Sequence, residues 1–250
     1  MARFLSARSK IERAKEHIVD LDRRIRLFVE SEPYEIRAKP HLVPQIQHTT
    51  LYISRVGEIP DSVPLVLGDA LHNLRTALDH TACELVRANG GVPNEHTYFP
   101  ICDPAQKLTP AIFNGKVKGM LSAAQVLIRD VQADRTGDRT LWHLHKLDII
   151  DKHRLLLTAS VGMKGWGVEE MTAHGYWFER GMTFSLMEGQ EIVNIPTSTY
   201  NRQKNEDFKL KLEITFGETE VLEGEPILPA VKQMADLIEA LVSKFENLVP

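Results

Sequence analysis

DSVPLVLGDALHNLRTALDHTACELVRANGG, residues Asp61 to Gly91, is the stretch whose reading decides the fold. Asp61 or Ser62 supplies an N-cap, Pro64 fits a first helical turn, and Asn89, Gly90 and Gly91 form a stop. At 100° per residue, Leu67, Ala70, Leu71, Leu74, Leu78, Thr81 and Leu85 fall on one side, which is therefore a core face. Asp69, Asn73, Thr76 and His80 line the opposite side, with His72, Arg75 and Asp79 in an adjacent row. A solvated helix face would more usually carry Lys and Glu, so this polar face is expected to meet another surface.

Upstream, Ile11, Ala14, Ile18, Leu21, Ile25 and Phe28 recur in steps of three and four, the stripe of a long amphipathic helix. Such a seam packs inside a bundle or pairs two copies of the chain. Tyr34 to Ala38 and His48 to Val56 read as strands that could form a hairpin. Downstream come a loop with Pro93, Pro100, Pro104 and Pro110, a helix around Ser122 to Val131, and a turn marked by Arg135 and Gly137. A helix from about Thr140 passes towards a strand near Leu155.

Beyond that point glycine and β-branched residues rise. FKLKLEITF, Phe208 to Phe216, alternates without a fault, and shorter strands are expected at Tyr176 to Phe178, Thr183 to Met187 and Ile192 to Ile195. A last helix from Leu228 carries Val231, Met234, Ile238, Leu241 and Phe245 on one face. The expected class is α+β: an N-terminal helical bundle with a β-hairpin, then an antiparallel sheet and a C-terminal helix. The expected division is a mainly helical part over 1–155 and a sheet with its helix over 156–250, which could pack as one domain.

The chain has 250 residues, 43% of them hydrophobic and 26% charged, so it can bury a core without disulfides or metals. A net charge of −4 argues against a protein that coats nucleic acid non-specifically. A local basic patch is compatible with it, because residues 1–26 hold eight basic side chains against four acidic ones. Two cysteines without paired spacing suit a reducing compartment, and the start, MARFLSARSKIERAKEH, lacks the apolar centre of a signal peptide. A cytoplasmic protein with no membrane partner is expected.

The density of His, Asp, Asn and Arg over Gly68 to His80 suits acid–base chemistry or a core polar network. The segment WHLHKLDIIDKHR adds Asp148 and Asp151 beside leucines, and a buried carboxylate needs a positive or hydrogen-bonding partner. Arg75, His72 and His80 are the obvious candidates, for instance as Arg75–Asp151 or His80–Asp148.

Arg75 and His80 also stand as R-x4-H, and here the sequence resembles the HEPN superfamily, whose nuclease members carry such a motif on a bundle helix and commonly dimerise. The resemblance covers this helix and its helical setting, up to about residue 155. It implies metal-independent RNA cleavage in a homodimer, as in a toxin or defence component, with no cofactor. His80 would exchange the proton of a ribose 2′-OH or leaving 5′-oxygen, and Arg75 would hold the scissile phosphate. Asn73 would orient the phosphate or the imidazole. Asp79 or Asp69 would fix a tautomer, with His72, Asp148, Asp151 and His153 in support. The ordered set GDALHNLRTALDH, FPI and DKHRLLL also resembles a family of uncharacterised bacterial and phage proteins, which implies a recurring fold and no particular chemistry.

The competing reading is a non-catalytic binding or scaffold protein, with the same residues as a structural network and the sheet facing a protein partner. A metal site from Asp69, His72, His143, His145, Asp148 and His153 has ligands in number but not in spacing, so none is expected. Cys83 reads as a small packing residue, and GMKGWG lacks the context of a phosphate loop. The nuclease reading requires Arg75 and His80 to be open to solvent and close together.

Overall fold

The structure is a computed structural model that describes residues 3–40, 47–101, 109–133, 139–153, 157, 159–168, 176–197, 208–217 and 221–249. It is α+β, in the order α1 (Leu5–Glu30), β1 (Tyr34–Pro40), β2 (His48–Val56), α2 (Ser62–Ala88), α3 (Pro110–Lys116), α4 (Ser122–Ala133), α5 (Thr140–His153), β3 (Ala159–Val168), β4 (Tyr176–Ser185), β5 (Glu191–Pro196), β6 (Phe208–Phe216) and α6 (Ile227–Glu246). No helix among the described residues is long and apolar enough to cross a membrane.

Two compact units form, each drawn from separated stretches on both sides of residue 155. The first takes Met1–Leu21, Pro64–Leu157 and Leu228–Pro250, and the second Asp22–Val63 and Thr158–Ile227.

In the first unit the α2 core face is as the periodicity requires: Leu67, Ala70, Leu71, Leu74, Leu78, Thr81 and Leu85 are fully buried. The helix stops where its glycines stand. The Gly91 amide donates to Val86 O at 3.0 Å and the Gly90 amide to Arg87 O at 2.9 Å, with Gly90 at φ 79°, the paired bonds of a left-handed C-terminal cap. Ile11, Ala14, Ile18 and Leu21 of α1 are also buried, which makes that part of the stripe an intramolecular seam. Two ion pairs fasten α1 to α6, Arg8–Glu246 at 2.5 Å and Lys15–Glu239 at 2.9 Å. Phe99 meets Phe245 edge to face, centroids 5.7 Å apart.

Pro110 opens a short helix, α3, rather than lying in an uninterrupted loop. Proline suits a first helical turn, since its missing N–H would have no intrahelical partner there. Pro104, Arg135, Gly137 and Leu155, and the Cys102 that follows Phe-Pro-Ile, lie outside the described residues.

The second unit contains two antiparallel sheets of three strands, β1-β2-β5 and β4-β3-β6, where the sequence suggested one sheet after residue 155. The hairpin forms as read, but its inner strand β2 also pairs with β5, with Thr50 opposite Asn194. The Thr50 hydroxyl donates to Asn194 Oδ1 at 2.5 Å. Alternation identifies a strand; it carries no information on which neighbour that strand selects. The segments expected at Tyr176 to Phe178 and Thr183 to Met187 fall largely in one strand, β4, which ends at Ser185, before Leu186 and Met187. FKLKLEITF pairs with β3 from Ala159 opposite Phe216 to Val168 opposite Phe208, and Ser160 and Thr215 share a 2.8 Å hydroxyl bond.

Candidate functional site

The polar residues of α2 sort into two clusters within the helical unit. The first is centred on Arg75, whose side chain is 7% exposed. Its Nη1 donates to Asp79 Oδ1 at 2.5 Å, one turn along the helix, its Nη2 to the Phe99 carbonyl at 3.0 Å, and its Nε to His145 Nδ1 at 3.3 Å. Asp79 in turn accepts the Phe99 amide at 2.9 Å. The pair therefore grips both polar groups of one backbone residue, tying the Phe-Pro-Ile segment to α2. The planar fork of arginine makes this geometry possible; a lysine could not reproduce it.

His145 is part of the clamp. Burial, and then the Arg75 charge, lower its pKa to about 4, so it stays neutral and offers Arg75 a lone pair.

His80 is only half-buried, but its Nδ1 is sealed and lacks a hydrogen-bond partner in the structure. No hydrogen bond joins it to Arg75 or to Asp148. The two residues of the R-x4-H spacing thus share no hydrogen bond, and every nitrogen of Arg75 is committed inside the fold. The pairings suggested by composition, Arg75–Asp151 and His80–Asp148, are replaced by Arg75–Asp79 and His72–Asp148.

The second cluster surrounds His72. Its Nδ1 lies 3.1 Å from Asp148 Oδ1, its ring is 49% exposed, and Asp148 is 3% exposed. Lys152, one turn further along α5, donates to Asp148 Oδ2 at 2.6 Å. The buried carboxylate is thereby doubly matched, as its burial demands. In the neutral ring such a carboxylate places the proton on Nδ1 and leaves a lone pair on Nε2. The Thr76 hydroxyl is 3.5 Å from that nitrogen.

Asp151 lies where α5 crosses α2. A Cβ on Gly68 would fall 2.6 Å from Asp151 Oδ2 and 2.7 Å from its Cγ, so only glycine lets this carboxyl rest on the α2 backbone. Burial, and then the Asp148 and Asp69 charges, push the Asp151 pKa up, against His72 and Lys152. Asp69 is exposed. Asn73 is buried, accepting from Lys10 Nζ at 3.1 Å and donating to the Asp69 carbonyl at 2.8 Å, so it orients neither Arg75 nor His80. His153 is exposed in the last turn of α5.

Sequence reasoning missed Lys152 and Lys10, and weighed His145 only as a metal ligand. Lys152 had a signal, the i,i+4 spacing from Asp148; Lys10 and His145 had none, because their partners lie far along the chain. Burial pushes the Cys83 thiol up, in keeping with a packing residue. Among the described residues no group of three or more His, Cys, Asp or Glu could hold a metal.

No family model, no curated protein and no solved structure matches the chain.

Proposed function

We propose that the protein is a metal-independent ribonuclease whose acid–base group is His72, with Arg75 as a structural clamp. The observation that carries the reading is the half-exposed imidazole of His72 seated on the buried carboxylate of Asp148. A histidine so held has Nδ1 fixed by the carboxylate and only the Thr76 hydroxyl, at 3.5 Å, beside Nε2, an arrangement that suits a general base. RNA is carried over from the sequence reading alone: the Arg75 and His80 pair that suggested it does not form an open site, and His72 takes the acid–base role instead. His72 would take the ribose 2′-OH proton. The proposal includes the cytoplasmic location and the homodimer that the sequence suggests.

A second reading is a binding or scaffold protein, favoured by the complete engagement of Arg75. Incubation with RNA in excess chelator decides between them. Cleavage by the wild type and by His80→Ala, lost in His72→Ala, supports the proposal. No cleavage by the wild type removes it and leaves the scaffold, and cleavage that survives His72→Ala removes His72 as the acid–base group.

A further inference from the structure

His72 and Lys152 share one carboxylate. Asp148 presents Oδ1 to His72 Nδ1 at 3.1 Å and accepts at Oδ2 from Lys152 Nζ at 2.6 Å. The two partners stand on different helices, α2 and α5, and the group between them is 3% exposed, against 49% for His72 and 44% for Lys152. An i,i+4 ion pair on a helix surface is ordinarily weak, because water screens both of its ends. Here the shared end is buried, so a change at one partner is felt at the other.

We propose that Lys152 is a positioning residue for His72: it holds Asp148 Oδ2, keeps Oδ1 turned to the imidazole, and divides the carboxylate charge so that the ring is not locked as an imidazolium. The inference rests on the reading of His72 as the acid–base group and names the residue that regulates it. The surrounding charges show why a cation is needed there. The Asp151 carboxyl interacts with Asp69 and His72 from α2 and with Asp148 and Lys152 from α5, so these five side chains form one electrostatic cluster. From α1, Lys10 is bonded to Asn73, the residue after His72. Three of the five are carboxyls, and Lys152 carries the permanent positive charge among them. Without it the imidazole alone would answer the acidic groups, and opposite charge at close range favours the protonated ring. A protonated ring has no lone pair with which to accept a proton. Lys152 therefore acts through Asp148 and not on the reacting atoms.

Histidine titration by NMR tests the assignment without requiring turnover. The carbon-bound ring protons of His72, assigned by their loss in His72→Gln, are followed through the histidine range in wild type, Lys152→Met and Lys152→Arg. The same three are repeated with Asp148→Asn. Lys152→Met is expected to move the His72 midpoint up by about one half to one pH unit. Lys152→Arg should stay near the wild type, and the shift should shrink markedly once Asp148 is an amide. The acid limb of the RNA cleavage profile should move with the midpoint. An unmoved midpoint in Lys152→Met, or a shift of the same size without the Asp148 charge, overturns the role of Lys152 and leaves that of His72 standing. A wild type that shows the expected titrations and does not cleave RNA removes the reading of His72 as a base, and the part of Lys152 in catalysis with it. Should Asp148→Asn fail to fold, Lys152→Met and Lys152→Arg decide the matter by themselves, with matching circular dichroism spectra as proof that both are folded.

Discussion

Arg75 and Asp79, one helical turn apart on α2, hold the amide and the carbonyl of Phe99 between them, with the guanidinium nearly sealed from water. A motif that in isolation suggests phosphate binding is here the fastening of a loop. Truncating Asp79 would leave a buried cation short of its counter-charge, so Asp79→Ala is expected to cost about 3 kcal/mol in a urea melt. Arg75→Lys should recover little of the loss seen in Arg75→Ala, because an ammonium cannot reach Asp79, Phe99 and His145 in one plane. A lysine variant as stable as the wild type would sink the clamp.

The neutrality of His145 sets a pH dependence. Its folded pKa lies near 4 against 6.5 in the free side chain, so the unfolded chain binds the extra proton first. Its contribution is complete above about pH 6.5 and fades as the pH falls towards 4. After allowance for partial solvent screening the loss is on the order of 2 kcal/mol. Thermal melts across that window should show a falling Tm, and His145→Gln should flatten the slope; an unchanged slope would count against a neutral imidazole in the clamp.

Gly68→Ala sets a methyl group against the Asp151 carboxyl and should destabilise the protein by about 1–3 kcal/mol. Asp151→Ala opens the space, so the double variant should be less destabilised than the sum of the two single ones. Strict additivity in the double-mutant cycle would show that the two residues do not touch.

His72 and Asp148 should behave differently from each other. His72→Ala removes a half-exposed ring and is expected to change stability by less than about 1 kcal/mol. Asp148→Ala removes the buried acceptor of both His72 and Lys152, and about 3 kcal/mol should be lost in the same denaturant series. Equal costs for the two would contradict the burial that distinguishes them.

Much of the fold is legible along the chain. The core face of α2, its glycine stop, the α1 stripe and the alternation of β6 each depend on residues a few positions apart, and local geometry translates such spacing directly into a buried face. The candidate site was legible in composition but not in connection. The carboxylates of α5 were expected against Arg75, His72 or His80, but with 76 positions between His72 and Asp148 nothing along the chain chooses among those partners.

The sequence by itself determined which segments become helix or strand and which side of each is apolar, because hydrophobic periodicity and caps act within a turn or two of the chain. Tertiary structure alone decided that Arg75 closes on Asp79 and Phe99 rather than facing a substrate, that Asp148 goes to His72, and that β5 completes the hairpin sheet. A buried charge or an open strand edge must be matched by something, but several residues of the right chemistry could do so. Only the packing of distant elements settles which of them comes within hydrogen-bonding distance.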